Sequence, residues 1–186
     1  MIIAVSGTPG VGKTTVSKLL AERLGYEYVD LKELAISAGI AEPIGEELEI
    51  DVERLPEVAE SMLRKKRVIV DGHLSHLIPA DIVIVLRADP RILGERLRNR
   101  GYSPSKVADN VEAELIDLIL VEAIERNERV LEVDTTGKNP EKVVEEITRL
   151  LREGVTKRVG VVDWTEHYDE IVGYLPIGRH GQNEGG

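Results

Sequence analysis

The sequence predicts an α/β fold in which a five-stranded parallel sheet carries helices on both faces. Short apolar runs alternate with helical patterns along residues 1–152, and the runs are almost continuous in valine, isoleucine and leucine. Continuous apolar runs are typical of strands that are buried on both sides. Regular alternation of strand and helix favours parallel pairing through right-handed crossovers.

Five apolar runs predict the strands, namely Ile2–Val5, Tyr26–Val29, Val68–Val70, Ile82–Leu86 and Val130–Val133. Between them, helical patterns are predicted over residues 13–24, 51–65, 90–100, 105–127 and 140–152. Ligands of such sheets bind beyond the carboxyl ends of the strands. Polar side chains that follow the strands are therefore expected to meet at one rim of the sheet.

The link between the first strand and the first helix carries the most specific motif. Residues 7–14 read Gly-Thr-Pro-Gly-Val-Gly-Lys-Thr and fit G-x-x-x-x-G-K-[ST] at every fixed position. Glycines let main-chain N–H groups converge on a phosphate, and the helix N-terminus adds positive potential. Lys13 would reach the β- and γ-phosphates, and the Thr14 hydroxyl would bind Mg²⁺. The motif predicts a P-loop NTPase three-layer sandwich that binds a nucleoside triphosphate.

Asp71 ends the third predicted strand and is followed by Gly72 and His73. An acidic residue at the tip of a strand beside a phosphate loop can hold Mg²⁺, usually through a bound water. The alternative is an aspartate that caps a loop. His73 either orients the attacking water or acceptor, or is a polar residue of the turn. We expect His76 to be structural.

Arg96 and Arg100 lie four residues apart, so one face of a helix presents both guanidinium groups. Together they could clamp the phosphoryl group in transfer, whose charge spreads over its equatorial oxygens. The alternative is a solvated basic face, because Arg91 and Arg98 are close in sequence. Arg87, after the fourth strand, is a weaker candidate for the same role.

The turn after the last strand, residues 134–140, is a third candidate for nucleotide contact. Its backbone could contact the base, with Lys138 packing alongside. An ordinary strand–helix connection explains the same residues.

Two stretches interrupt the regular alternation of strands and helices. Residues 30–55 separate the second strand from the next helix, and residues 100–105 interrupt a helical pattern. In a small phosphate-loop fold such insertions often form the acceptor site and the lid. The alternative for each is an ordinary surface connection.

Composition limits the class of protein. The 186 residues suffice for one domain, with 42% hydrophobic and 31% charged residues. No apolar run approaches a membrane span and no basic signal segment is present, so we expect a cytoplasmic protein. The absence of cysteine excludes disulfides and thiolate metal sites. A net charge of −10 argues against a direct nucleic-acid footprint but is compatible with a basic protein partner.

The pattern changes after Gly154. Residues 153–186 form a C-terminal tail that contains Trp164, Tyr168 and Tyr174. Aromatic residues outside a core suggest docking, either on the domain itself or on a partner. We favour docking on the domain, with Val159–Val162 as an added edge strand and a mobile end.

Three segments resemble the adenylate kinase isoenzyme 6 family, the archaeal and eukaryotic Fap-seven/CINAP type. They are Gly7–Thr15, Asp71-Gly72-His73, and the pattern Glu95-Arg96-Leu97…Arg100-Gly101-Tyr102…Lys106…Asn110…Glu114. The resemblance covers residues 1–152. It implies a P-loop kinase domain there, with residues 30–53 binding the nucleoside monophosphate and residues 99–109 forming the lid.

The resemblance also implies an activity. Gly10, Gly12, Lys13, Thr14 and Thr15 would bind ATP, and Arg100 would serve the lid. The γ-phosphoryl group would pass to AMP, with some ATP hydrolysis. A role in maturation of the small ribosomal subunit is implied through a basic partner, the eleventh protein of that subunit.

In two respects the sequence differs from long-lid adenylate kinases. The stretch after Asp71 has no arginine for the acceptor phosphate, and the acceptor insertion has none before Arg54. Two other interpretations therefore stay open. One is an ATP-driven ribosome assembly factor with little kinase activity, and the other is a kinase for a different small acceptor.

Overall fold

The computed structural model describes residues 1–44 and 47–172 and confirms the predicted sheet. Five parallel strands lie in the order β2-β5-β1-β6-β7. The strands are β1 (Ile2–Ser6), β2 (Glu27–Asp30), β5 (Val68–Asp71), β6 (Ile82–Arg87) and β7 (Val130–Asp134), while β3 (Ala41–Ile44) and β4 (Glu47–Ile50) form a separate antiparallel hairpin.

Helices cover both faces of the sheet. They are α1 (Lys13–Leu24), α2 (Leu31–Ser37), α3 (Leu55–Leu63), α4 (Pro90–Asn99), α5 (Pro104–Leu115), α6 (Leu118–Arg126), α7 (Pro140–Arg152) and α8 (Tyr168–Val172). Alternate residues of β1 enter different cores: Ile3 and Val5 pack with α1, α4, α5 and α7, whereas Ala4 packs with α2, α3 and α6. This alternation is what a sheet buried on both faces requires.

Strand register brings three strand ends to one rim. Val5 of β1 is paired with Asp71 of β5, and Asp71 is paired with Asp30 of β2. The phosphate loop, Asp71 and Asp30 therefore leave the sheet side by side, as expected of ligand sites at the carboxyl ends of strands.

The prediction of a single helix over residues 105–127 is wrong. The structure has two helices, α5 and α6, separated at Ile116 and Asp117. Asp117 has a left-handed backbone with φ of 58°, and its carboxylate accepts a hydrogen bond from the buried guanidinium of Arg87. Because apolar residues continue at helical spacing across the break, periodicity could not reveal it.

Residues 30–44 and 47–55 of the first interrupting stretch are structured. Asp30 caps α2 by accepting hydrogen bonds from the N–H groups of Lys32 and Glu33. The β3–β4 hairpin follows and leads to α3. Neither α2 nor the hairpin was predicted from sequence.

The tail packs on the domain as far as it is described. Arg158 exchanges main-chain hydrogen bonds with Val130 and Glu132 of β7, Trp164 packs against the core, and Ile171 is fully buried. The strand predicted at Val159–Val162 is wrong, because pairing with β7 is a single bridge at Arg158. Tyr174 and the end predicted to be mobile lie outside the described residues.

Across residues 1–44 and 47–172, no helix has both the length and the apolar character that a membrane span needs.

Candidate active site

The phosphate loop is built on three glycines with left-handed backbone. The φ angles are 140° at Gly7, 96° at Gly10 and 100° at Gly12. A Cβ at Gly7 would lie 2.4 Å from the main-chain oxygen of Leu86, and one at Gly10 would lie 2.8 Å from the Leu93 side chain. Both the dihedral angles and the space therefore require glycine at these two positions.

Lys13 begins α1, and its side chain folds back over the loop. Its Nζ donates hydrogen bonds to the carbonyl oxygens of Gly7, at 2.7 Å, and Thr8, at 3.0 Å. Burial lowers the pKa of Lys13 to about 8, although the nearby carboxylates of Asp71 and Glu114 act in the opposite direction. An ammonium group so placed is ready to exchange carbonyl partners for phosphate oxygens.

Thr14 and Thr15 lie in the first turn of α1, directly after Gly12, and both are exposed. They carry the N–H groups that the helix leaves unbonded at its start. The Thr14 hydroxyl is accessible to a metal ion, and Thr15 lines a pocket described below.

Asp71 is 4% exposed and has one oxygen in use. Its Oδ2 accepts a hydrogen bond from the Tyr28 hydroxyl at 3.0 Å. Its Oδ1 is buried and has no hydrogen-bond partner among the described residues. A buried carboxylate oxygen without a donor is costly. An oxygen donor set of Asp71 and Thr14 beside a phosphate site fits Mg²⁺, which prefers carboxylates, waters and phosphates.

Tyr28 is fixed as the donor in this pair. Partial burial and the Asp71 carboxylate raise the pKa of the Tyr28 phenol well above its usual value, so the proton stays on the phenol.

His73 lines the cavity of about 900 Å³ described below, whereas His76 is buried. Desolvation by the surroundings, and then the Lys13 ammonium, lower the pKa of His73, so its imidazole is neutral at pH 7. His76 is 1% exposed, with Nδ1 2.9 Å from the Ser6 hydroxyl and Nε2 2.9 Å from Glu122. His76 is structural, as expected.

Arg96 of α4 and Arg100, the residue that follows the end of α4, line the same pocket. This pocket has a volume of about 200 Å³, and its other lining residues include Gly10, Gly12, Thr15, Thr135 and Lys138. Arg96 Nη1 donates to the Gly10 carbonyl at 3.2 Å. The exposed Arg100 has no ion-pair partner within the described ranges.

Lys138 and Thr135 come from the turn between β7 and α7. Lys138 Nζ is 3.0 Å from Glu146, which also pairs with Arg158 of the tail. The Lys138 stem lines the pocket while its charge is paired on the far side. The buried Thr135 hydroxyl lies 3.1 Å from the Val11 carbonyl and 2.8 Å from that of Arg87, so it joins the loop to β6.

A second cavity of about 900 Å³ opens on the other side of the loop. Its walls are α2, the β3–β4 hairpin, the turn after β5 and the connection between α4 and α5. His73, Lys32, Lys106 and Asn110 line it, and so does Arg100. The connection between α4 and α5 is short, because α5 begins at Pro104 and Gly101 turns the chain with φ of 79°.

Arg87 does not reach either cavity. It is 2% exposed and pairs with Glu114, Glu132 and Asp117. A role as a phosphoryl clamp is therefore wrong for Arg87, because three carboxylates hold its guanidinium inside the protein.

Three contacts at the site were not predicted, although Thr135 lies in the candidate turn at residues 134–140 and Glu114 belongs to the pattern that resembles isoenzyme 6. Tyr28, Thr135 and Glu114 contact Asp71, Val11 and Thr8 respectively. Each lies far along the chain from its partner, so no local pattern could have revealed the contact.

Comparison with known proteins places the chain in a family. The AAA domain family model matches residues 3–117. A protein named "Putative adenylate kinase" from Thermococcus onnurineus is 65% identical over 178 residues, which are 96% of this chain and 99% of that protein. A protein of the same name from Methanocaldococcus jannaschii is 43% identical over 172 residues, which are 90% of this chain and 95% of that protein. The chain belongs to this archaeal kinase family.

Solved structures confirm the fold. Shikimate kinase from Acinetobacter baumannii in complex with shikimate superposes with a TM-score of 0.59 and 22% identity, covering 84% of this chain and 95% of that one. A gluconokinase from Sinorhizobium meliloti has a TM-score of 0.52 and 22% identity, covering 81% and 93%. The fold of this family member is thus that of the P-loop kinases.

Proposed function

We propose that the protein is a nucleoside monophosphate kinase that transfers the γ-phosphoryl group of ATP to AMP, giving two ADP. One observation carries the proposal: Arg100 lines both the 200 Å³ pocket and the 900 Å³ cleft. Two substrates on either side of the loop would bring their phosphates together at this guanidinium. The archaeal relatives are named as adenylate kinases, which supports AMP as the acceptor.

ATP would occupy the smaller pocket. Main-chain N–H groups at Gly10, Gly12, Thr14 and Thr15 and the ammonium of Lys13 would bind its phosphates, with the stem of Lys138 beside the base. Thr14 and Asp71 would hold Mg²⁺, Asp71 through a water. The ion supplies neutralisation of charge on the β- and γ-phosphates.

AMP would occupy the larger cleft. Its arginine-poor walls contain two lysines, Lys32 at the start of α2 and Lys106 on α5. An acceptor phosphate in the cleft beside α2 would meet the Lys32 ammonium there. The neutral imidazole of His73 can accept a hydrogen bond from the acceptor or from a water molecule.

Arg100 and Arg96 would supply the charge that phosphoryl transfer demands. Little covalent chemistry is required of the protein, so positioning and charge neutralisation account for the rate. The lid, residues 99–109, is a short turn and the first part of α5. A lid this short excludes water less completely than a long one, so we expect slow ATP hydrolysis when no acceptor is bound.

A panel of acceptors with labelled ATP tests the proposal. AMP should give labelled ADP faster than other nucleoside monophosphates, shikimate or gluconate, and Lys13→Ala should abolish the product. Equal ADP formation with AMP and with buffer would refute the assignment. Faster transfer to a non-nucleotide would establish the kinase for another small acceptor instead.

A second candidate function rests on charge. The net charge of −10 and a groove of about 420 Å³ lined by Glu42, Glu49 and Asp51 favour a basic protein partner. Such a partner fits a cytoplasmic assembly factor of the isoenzyme 6 type that binds the eleventh small-subunit ribosomal protein. Pull-down from lysate should recover that protein at low salt and lose it at high salt. Recovery of no ribosomal protein would refute this function.

A further inference from the structure

Glu114 of α5 is a buried carboxylate that contacts the phosphate loop directly. It is 3% exposed, and its Oε2 accepts a hydrogen bond from the Thr8 hydroxyl at 2.6 Å. Thr8 occupies the position after the first glycine of the loop and is itself 2% exposed. A buried ionised group that accepts from a hydroxyl makes a strong and directional bond.

The position of Glu114 is set from the opposite side by β6. Its Oε1 accepts hydrogen bonds from Arg87 Nε at 2.7 Å and from the N–H of Ala88 at 3.2 Å. Arg87 Nη2 donates in addition to the main-chain oxygen of Glu114 at 3.0 Å. Both oxygens of the carboxylate are therefore in use, and the side chain has no freedom to follow a displaced loop.

Thr8 in turn contacts Lys13, so a Thr8 held in place also holds the lysine side chain. Its main-chain oxygen accepts hydrogen bonds from Lys13 Nζ at 3.0 Å and from the N–H of Val11 at 3.4 Å. The chain of contacts runs from Arg87 through Glu114 and Thr8 to Lys13. It begins at the end of β6, the strand whose Leu86 oxygen leaves no room for a side chain at Gly7.

We propose that Glu114 is a positioning residue for the phosphate loop, which it fixes through the Thr8 hydroxyl in the shape that receives the triphosphate. The proposal rests on the function proposed above only in taking ATP as the ligand of the loop. A loop held in its bound shape loses less freedom when the nucleotide binds. Arg87 thus acts at the site indirectly, by orienting Glu114.

Variants of Thr8 isolate this bond. Thr8→Val keeps the shape of the side chain and removes its hydroxyl, whereas Thr8→Ser keeps the hydroxyl. We expect the dissociation constant of a nonhydrolysable ATP analogue to rise about tenfold in Thr8→Val. Thr8→Ser should restore it to within about twofold of the wild type, since the donor is back.

Glu114→Gln has a matched control on the same network. Glu132 is also buried and accepts a hydrogen bond from Arg87 at 2.8 Å, but within the described residues its side chain makes no hydrogen bond to the loop. Glu114→Gln and Glu132→Gln should both lower the unfolding temperature. Only Glu114→Gln should weaken analogue binding, when both are measured well below that temperature. If Thr8→Val does not fold, the comparison of Glu114→Gln with Glu132→Gln still tests the proposal.

Two results would overturn the proposal. One is a Thr8→Val protein that binds the analogue within twofold of the wild type. The other is equal weakening by Glu114→Gln and Glu132→Gln, which would mean a general loss of stability. Because the binding assay needs no acceptor, a wild-type protein that binds the analogue but makes no ADP from AMP would refute the proposed kinase activity and not this role of Glu114.

Discussion

The two sides of the site are built differently. The phosphate loop is held by three contacts: the Thr8 hydroxyl donates to the buried Glu114, the buried Thr135 hydroxyl donates to the Val11 carbonyl, and Arg96 donates to the Gly10 carbonyl in a partly buried bond. In the proposed lid, residues 99–109, the first eight residues are exposed, as are Lys32 and His73 across the cleft, whereas Val107 and Ala108 are buried. Under the proposed function the donor side would be preorganised before a nucleotide binds, and the acceptor side would be open to close on its substrate.

This difference predicts how substitutions act. On the loop side they should impair both stability and nucleotide affinity, because the contacts are buried. On the lid side they should reduce turnover and leave the free energy of unfolding almost unchanged, because the side chains are exposed. Four measurements test this difference between the phosphate loop and the lid.

The largest effect is expected from Lys13→Ala. Loss of the ammonium removes the main cationic side chain of the loop, and kcat/KM for ATP should fall by roughly 10³-fold. Lys66→Ala is the control, because Lys66 is exposed and lies just before β5, at the end of the sheet opposite the phosphate loop. Turnover within tenfold of the wild type in Lys13→Ala would show that the chemistry takes place elsewhere.

Gly7→Ala and Gly101→Ala compare the loss of stability when a glycine is replaced in the phosphate loop and in the lid. At Gly7 the new Cβ meets the Leu86 oxygen at 2.4 Å, so the free energy of unfolding should fall by about 3 kcal/mol. At Gly101 no atom lies within 4 Å, so only the left-handed conformation opposes alanine, at about 1 kcal/mol. Denaturant unfolding measures both. Equal losses would contradict the contrast between an enclosed loop and an open lid.

Arg100→Ala and Arg96→Ala separate an effect on turnover from an effect on ATP binding. Arg100 should affect kcat, by about 10²-fold, because it lies between the two cavities. Arg96 holds a loop carbonyl, so its loss should mainly raise KM for ATP. Steady-state kinetics with Arg64→Ala as an exposed control would resolve the two effects. If kcat fell in Arg96→Ala but not in Arg100→Ala, the roles assigned to the two arginines would be reversed.

The smallest effect is expected from pH. Lys13 in the free protein has a pKa of about 8, and a bound triphosphate favours its charged form. Above pH 8 the complex must take up a proton, so ATP affinity should fall as pH rises, by up to about tenfold per unit. In Lys13→Arg the guanidinium stays charged, and the inflection near pH 8 should disappear. Constant wild-type affinity from about pH 7 to 9 would refute the lowered pKa.

The sequence predicted the strand, loop and helix around the phosphate-loop motif well because their determinants are local. Gly7 to Thr14 form one uninterrupted segment between a buried strand and a helix, and the parallel pairing of the strands follows from their alternation with helices. Asp71 was found because it ends a strand, and Arg96 with Arg100 because helical spacing places them on one face.

The features that the sequence could not show depend on contacts between residues that are far apart in the chain. Arg87 follows a strand as a site residue would, yet its guanidinium is neutralised by carboxylates from α5, β7 and the α5–α6 break. The same buried network turns the helix predicted over 105–127 into two. The acceptor side has no fixed motif, so α2 and the hairpin emerged only from the structure.

The central claim is that two nucleotide sites meet at Arg100. A structure with Mg²⁺ and two adenosines joined by five phosphates tests it most directly. We predict one adenosine in the pocket between Arg96, Thr135 and Lys138, the other in the cleft beside Lys32 and His73, and the phosphates across the loop under Arg100. An inhibitor bound through one adenosine alone, with the cleft empty, or bound away from the loop, would contradict the account.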